Sequence, residues 1–161
     1  FQIVKPFPTL TVLQNVMIGA KFGRKDEFFD KTDYQAPAFR ALEFIGIEDR
    51  AHDPCAALNL GEIKKVELAR ALATNPEVLL LDEVIAGLNL VETEFMMNLI
   101  RRIRDDKGIT ILMIEHVMKA VMGISDRVMV LHHGEKIADG MPEDVVNLEE
   151  VVNAYLGVRI L

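Results

Sequence analysis

The chain has 161 residues, half of them hydrophobic, no tryptophan, and a formal net charge of −7. That length and apolar content suit a soluble globular domain with an aliphatic core, while the acidic balance argues against a protein that grips nucleic acid through clustered Lys and Arg. The single Cys55 excludes an internal disulfide or a Cys-rich zinc site and reads as a small buried hydrophobe. No run nears the roughly eighteen apolar residues of a membrane span, so no direct membrane insertion is expected and any membrane role comes through a partner. The opening Phe1-Gln2-Ile3-Val4 is strand-like and reads as the continuation of something longer.

In chain order, "TVLQNVMIGAK" (11–21) places Thr11 and Gln14 in capping-box register ahead of Leu13, Val16, Met17 and Ala20 on one helical face. Gly23 is expected to end that helix. After the charged stretch "RKDEFFDKTDYQAP", a second helical pattern runs from Ala38 to Ile45 and stops at Gly46. From Gly61 a helix over "EIKKVELARALA", with Ile63, Val66, Ala69, Leu72 and Ala73 inward, leads through "TNP" into an apolar strand, Val78 to Leu81. Such a run predicts a strand buried on both faces. A helix from Val91 to about Arg104 follows, with Val91, Phe95, Met96, Leu99, Ile100 and Ile103 inward, and then a second apolar strand, Ile109 to Ile114. Strand, helix, strand at this spacing predicts a parallel βαβ unit. A short helix near Val117 to Met122, a hairpin turning at Gly134 and two closing helices, "PEDVVN" and "LEEVVNAYLG", complete the chain.

The first strand ends in Asp82-Glu83, two carboxylates at the carboxyl edge of a parallel sheet, where ligands of open α/β sheets bind. Asp82 is suited to hold Mg²⁺ through oxygen, and Glu83 to orient or deprotonate a water. Taken alone, the pair fits a solvated strand end equally well. The second strand ends in Glu115-His116, placing an imidazole suited to sensing a phosphate, although a lone histidine here also fits a turn residue. A phosphoryl-transfer site needs a G-x-x-x-x-G-K-[ST] cradle, yet none of the ten glycines is followed by Lys-Ser or Lys-Thr.

With these elements in order, the chain resembles the nucleotide-binding domains of ABC transporters over nearly its whole length. The likeness is carried by Leu58-Asn59-Leu60-Gly61-Glu62 in place of the signature "LSGGQ", Ala69-Arg70-Ala71-Leu72, the Walker B run Val78 to Glu83, the D-loop Ala86-Gly87-Leu88-Asn89, the switch histidine His116, and Phe1-Gln2 as the Q-loop. "LNLGEIKKVELARALA", "DEVIAGLNLVETE" and the closing "VVNAYLG" are most similar to the ATPase subunits of branched-chain amino-acid importers.

The resemblance implies a partial P-loop NTPase fold of α/β class. Residues 1–60 would form the Q-loop and helical subdomain and 61–161 the carboxyl-terminal part of the RecA-like core, with the Walker A part absent. It implies ATP and Mg²⁺ as cofactors, Asp82 and Gln2 at the metal, Glu83, His116 and Gln2 in catalysis, and Asn59, Leu60, Gly61, Glu62, Gly87 and Asn89 at nucleotide. Asn59, Leu60 and Glu62 depart from the signature's Ser, Gly and Gln, and Asn89 stands where many relatives have Asp. A second ATPase subunit and transmembrane permease subunits are the implied partners, with the protein cytoplasmic and peripheral on the inner face of the membrane. Phe7, Phe22, Phe28, Phe29 and Phe39 are candidates for the permease contact, against an ordinary subdomain core. Without Walker A the chain alone is expected to bind ATP poorly and not to turn it over. Two other readings are a non-catalytic, self-associating interaction piece and an ABC ATPase of export or non-transport type.

Overall fold

A computed structural model describes residues 6–23 and 33–156. The chain divides into two compact units, Phe1–Ile114 and Glu115–Leu161.

The first unit begins with α1 (Val12–Phe22), capped as its sequence predicts. Thr11 Oγ1 accepts from the Gln14 N–H, and Gln14 Oε1 accepts from the Thr11 N–H. Asp33 Oδ1 accepts from the N–H groups of Gln35 and Ala36 and so starts α2 (Gln35–Ile45). Gly46 ends α2 in a Schellman arrangement, with the N–H of Ile47 returning to Leu42 O and that of Gly46 to Glu43 O. Short 3₁₀ turns at Glu48–Arg50 and Cys55–Ala57 lead to α3 (Leu60–Leu72), which packs on both α1 and α2. Val12, Val16, Leu42, Ile45, Val66 and Ala69 are buried completely in this helical cluster.

One polar side chain sits among them. Asn15 is fully buried; its Oδ1 accepts from the Phe7 N–H at 2.8 Å, and its Nδ2 donates to Phe7 O at 3.1 Å, Thr11 O at 3.0 Å and Cys55 Sγ at 3.1 Å. It thereby ties the backbone of the segment before α1 to the helix, beside the bridge of Thr11 to Pro54. Asn15→Leu removes both part-buried bonds to Phe7 together with those to Thr11 O and Cys55 Sγ, so we expect a loss of about 1–3 kcal/mol, read as a lower urea midpoint at unchanged slope. Cys55 is buried as its sequence context suggests, and burial pushes its thiol above the ordinary range, partly countered by the Arg70 charge.

The βαβ unit is present: β1 (Val78–Asp82) pairs in parallel with β2 (Thr110–Ile114), register Leu80↔Leu112, through the crossover helix α4 (Leu90–Lys107). The expectation of a strand buried on both faces does not hold. Leu79 and Leu81 are buried, but Val78, Leu80, Leu112 and Ile114 are more than half exposed, the alternation of a pair that the described residues cover on one face. The inward face of α4 also differs from its apolar pattern. Met96, Met97, Leu99, Ile100 and Ile103 are buried, whereas Val91 and Phe95 face out, the Phe95 ring lying 3.9 Å beneath the Lys65 ammonium.

The second unit comprises α5 (Met118–Ile124), the hairpin β3 (Val128–His132) and β4 (Glu135–Gly140), α6 (Pro142–Val145) and α7 (Glu149–Leu156). The hairpin turns at His133-Gly134, both at positive φ, as a type I′ connection requires. Ala138, Val145 and Val151 form its buried core, packed by Val128, Val130 and Ile137.

Candidate functional site

β1 delivers the two carboxylates as predicted. Asp82 is its last residue and is exposed; Glu83 is half-buried, and its N–H donates to Ile114 O at 2.9 Å, extending the ladder by one step. The chain then turns sharply. Glu83 adopts φ +48°, a left-handed conformation uncommon for a residue without a short polar side chain. The turn closes with Ala86 N–H on Glu83 O and Leu88 N–H on Ile85 O, both at 3.2 Å. Ile85 is buried and anchors it. Gly87 follows at φ +78°, a conformation that favours glycine, and a Cβ there would lie 3.2 Å from the tip of the Leu60 side chain.

Two helices begin beside this turn. Asn59 caps α3: its Oδ1 accepts from the Glu62 N–H and Glu62 Oε2 accepts from the Asn59 N–H, each at 2.9 Å. Asn89 caps α4 in the same way, its Oδ1 accepting from Val91 and Glu92 and Glu92 Oε2 accepting from the Asn89 N–H. The two starts are neighbours, because a Cβ on Gly61 would lie 2.8 Å from Glu92 Oε1. Two helix N-termini side by side concentrate positive potential and N–H donors.

The sequence-derived residues therefore divide into three sets. Asn59, Leu60, Gly61, Glu62, Asp82, Glu83, Gly87 and Asn89 gather in the first unit around this turn and these helix starts. His116 is exposed and belongs to the second unit. Gln2 lies outside the described residues, as do Phe28 and Phe29. Among the other phenylalanines named above, Phe7 and Phe22 are exposed and Phe39 is half-buried. Glu62 has a second engagement, since its Oε1 accepts from Arg50 Nη1 at 3.2 Å.

Lys64 was not singled out by its sequence pattern, yet it is buried at the centre of the arrangement. Its Nζ donates to the carbonyls of Val84 at 2.8 Å and Ala86 at 2.6 Å. The available signal was its place on the helical face of Gly61 and Leu68, three residues after the first and four before the second. Asp82, Glu83 and Lys64 line an open groove of about 680 Å³ with Ile18, Phe22 and Leu80.

No group of three or more His, Cys, Asp or Glu among the described residues could form a metal cage. Asp82 at an exposed strand end fits a different chemistry, that of Mg²⁺ held by one or two carboxylates, with waters and phosphate oxygens completing its shell. No described helix is long and apolar enough to cross a membrane.

A family model described as ABC transporter matches residues 1–86. The chain is 39% identical over 169 aligned positions to the high-affinity branched-chain amino acid transport ATP-binding protein LivG of Salmonella typhimurium, covering 98% of this chain and 66% of that protein. The corresponding Pseudomonas aeruginosa protein, BraF, is 35% identical with the same coverage. Among solved structures, the ADP conformation of MJ1267, an ATP-binding cassette of an ABC transporter, superposes with a TM-score of 0.83 at 30% identity, over 98% of this chain and 66% of that one. The chain thus spans just under two thirds of the length of the relatives it matches.

Proposed function

The chain belongs to the ABC transporter family, and we propose that it serves as the ATP-binding subunit of an importer, coupling ATP hydrolysis to uptake of branched-chain amino acids. The observation that carries this reading is the Asp82-Glu83 pair at the carboxyl end of a parallel strand, joined by one short turn to the helix start at Asn89 and lying beside the helix start at Asn59. The substrate class comes from the relatives named for branched-chain amino acid transport.

In this reading Asp82 would hold Mg²⁺, which supplies charge neutralisation for the phosphates. Glu83 orients the attacking water and takes its proton. His116 and Gln2 sense the γ-phosphate. The segment Asn59 to Glu62, with Gly87 and Asn89, faces the nucleotide of a second ATPase subunit. Because the cap occupies Asn59 Oδ1, its Nδ2 donors and the α3 N–H groups are the parts a phosphate meets. Glu62 does not supply such a contact, for its carboxylate is committed to Asn59 N–H and Arg50. Permease subunits complete the transporter and hold this subunit at the inner face of the membrane.

Uptake of labelled leucine by membranes containing the assembled transporter tests the proposal. Asp82→Asn is expected to lower ATP-driven uptake by at least about tenfold, since a neutral amide holds Mg²⁺ poorly. Leucine uptake unaffected by the change, with no other solute's uptake lost, would overturn the assignment, and loss of an unrelated solute's uptake instead would overturn the substrate class alone.

A further inference from the structure

Lys64 sits in the second turn of α3 and is only 6% exposed. A cation is tolerated at such depth where acceptors replace its water. Its Nζ donates to three of them in one turn, the carbonyls of Glu83 at 3.2 Å, Val84 at 2.8 Å and Ala86 at 2.6 Å. These belong to the turn that Glu83 opens at φ +48°. A left-handed glutamate is held only where its surroundings enforce it, and here a buried ammonium grips its carbonyl. The second contact between the same two segments is Leu60 against Gly87.

We propose that Lys64 is a positioning residue: its bonds to three carbonyls make the helix start at Asn59–Glu62 and the backbone of Glu83 move as one body. The inference rests on the reading of Glu83 as the residue that orients water. A displacement of the signature segment, as when it meets the nucleotide of a second subunit, then carries the Glu83 backbone with it. Placement of the carboxylate becomes conditional on the position of α3.

Amide hydrogen exchange in the 161-residue chain tests this without catalysis. Lys64→Met is expected to speed exchange at Ala86 and Leu88 at least about tenfold, with the β1–β2 ladder amides within about twofold of wild type. Lys64→Arg, which keeps the charge and donors, should restore most of the protection. Asn59→Ala, which loosens the first turn of α3, should speed the same two amides about threefold in the Lys64 chain and leave them unmoved in the Lys64→Met chain.

Uniform acceleration across the first unit, no acceleration, or an Asn59→Ala effect independent of residue 64 would each overturn the proposal. Should Lys64→Met not fold, Asn59→Ala alone decides: turn amides that ignore it also overturn the coupling. Failure of the ATPase reading shows separately, as leucine uptake indifferent to Asp82→Asn, and leaves the exchange result standing.

Discussion

Replacing Glu83 by Gln is expected to lower ATP turnover of the assembled transporter by at least about a hundredfold while leaving ATP affinity within about twofold. The substitution keeps side-chain length, and the backbone bonds of the turn, Glu83 N–H to Ile114 O and Lys64 Nζ to Glu83 O, do not involve the side chain. What is lost is the carboxylate proposed to orient and deprotonate water, a contribution typically of about 10²–10⁴ in rate. Phosphate binding in P-loop enzymes comes from backbone amides and a lysine in a loop of another sequence pattern, which is why affinity should survive. Steady-state hydrolysis together with nucleotide titration on the same samples separates the two quantities. Unchanged turnover would make Glu83 a solvated strand end. Lost turnover with equally lost affinity would make it a binding residue.

The carboxylates were legible because an apolar run ending in Asp-Glu is a local signal, and so were the Thr11–Gln14 cap and the hairpin turn at Gly134. Asn59 and Asn89 show how one residue can satisfy two patterns. Both were read as nucleotide contacts, but Asn59…Glu62 and Asn89…Glu92 also have the spacing of a capping box, and the structure uses them so. The cap is settled within four residues of chain, while a nucleotide contact depends on a partner.

What the sequence did not disclose depends on neighbours distant along the chain. Counting apolar residues puts Ile63, Leu72 and Ala73 inward on α3 with Val66 and Ala69; the last two are buried, but Lys64 and Leu68 are buried with them and the first three are only half-buried. The buried face is set by where α1 and α2 press and by where the carbonyls of the turn after β1 await a donor. Phe95 was misplaced for a related reason, since a ring under the Lys65 ammonium is stable without being inside. No pattern in "LLLDEV" signals a left-handed glutamate, and the open face of β1 reflects which elements cover the sheet rather than anything in the strand itself.

The contact between α1 and α3 that sets this face yields the second large expectation. Gly19→Ala should destabilise the first unit by about 3 kcal/mol or more. A Cβ there would lie 2.1 Å from Arg70 O and 3.0 Å from its carbonyl carbon, an overlap with backbone that no rotamer change can relieve. Alanine gains about 1 kcal/mol in helix propensity over glycine, too little to offset driving the helices apart and loosening Val12, Val16, Val66 and Ala69 at the core. Gly108→Ala provides the contrast: nothing lies within 4 Å of its Cβ, but φ is +65°, so the cost there is conformational, on the order of 1 kcal/mol. Urea unfolding of both variants should therefore show the larger loss at the residue with ordinary helical geometry. If Gly19→Ala were the milder of the two, α1 and α3 would not be packed backbone to backbone, and the face that buries Lys64 would have to be fixed some other way.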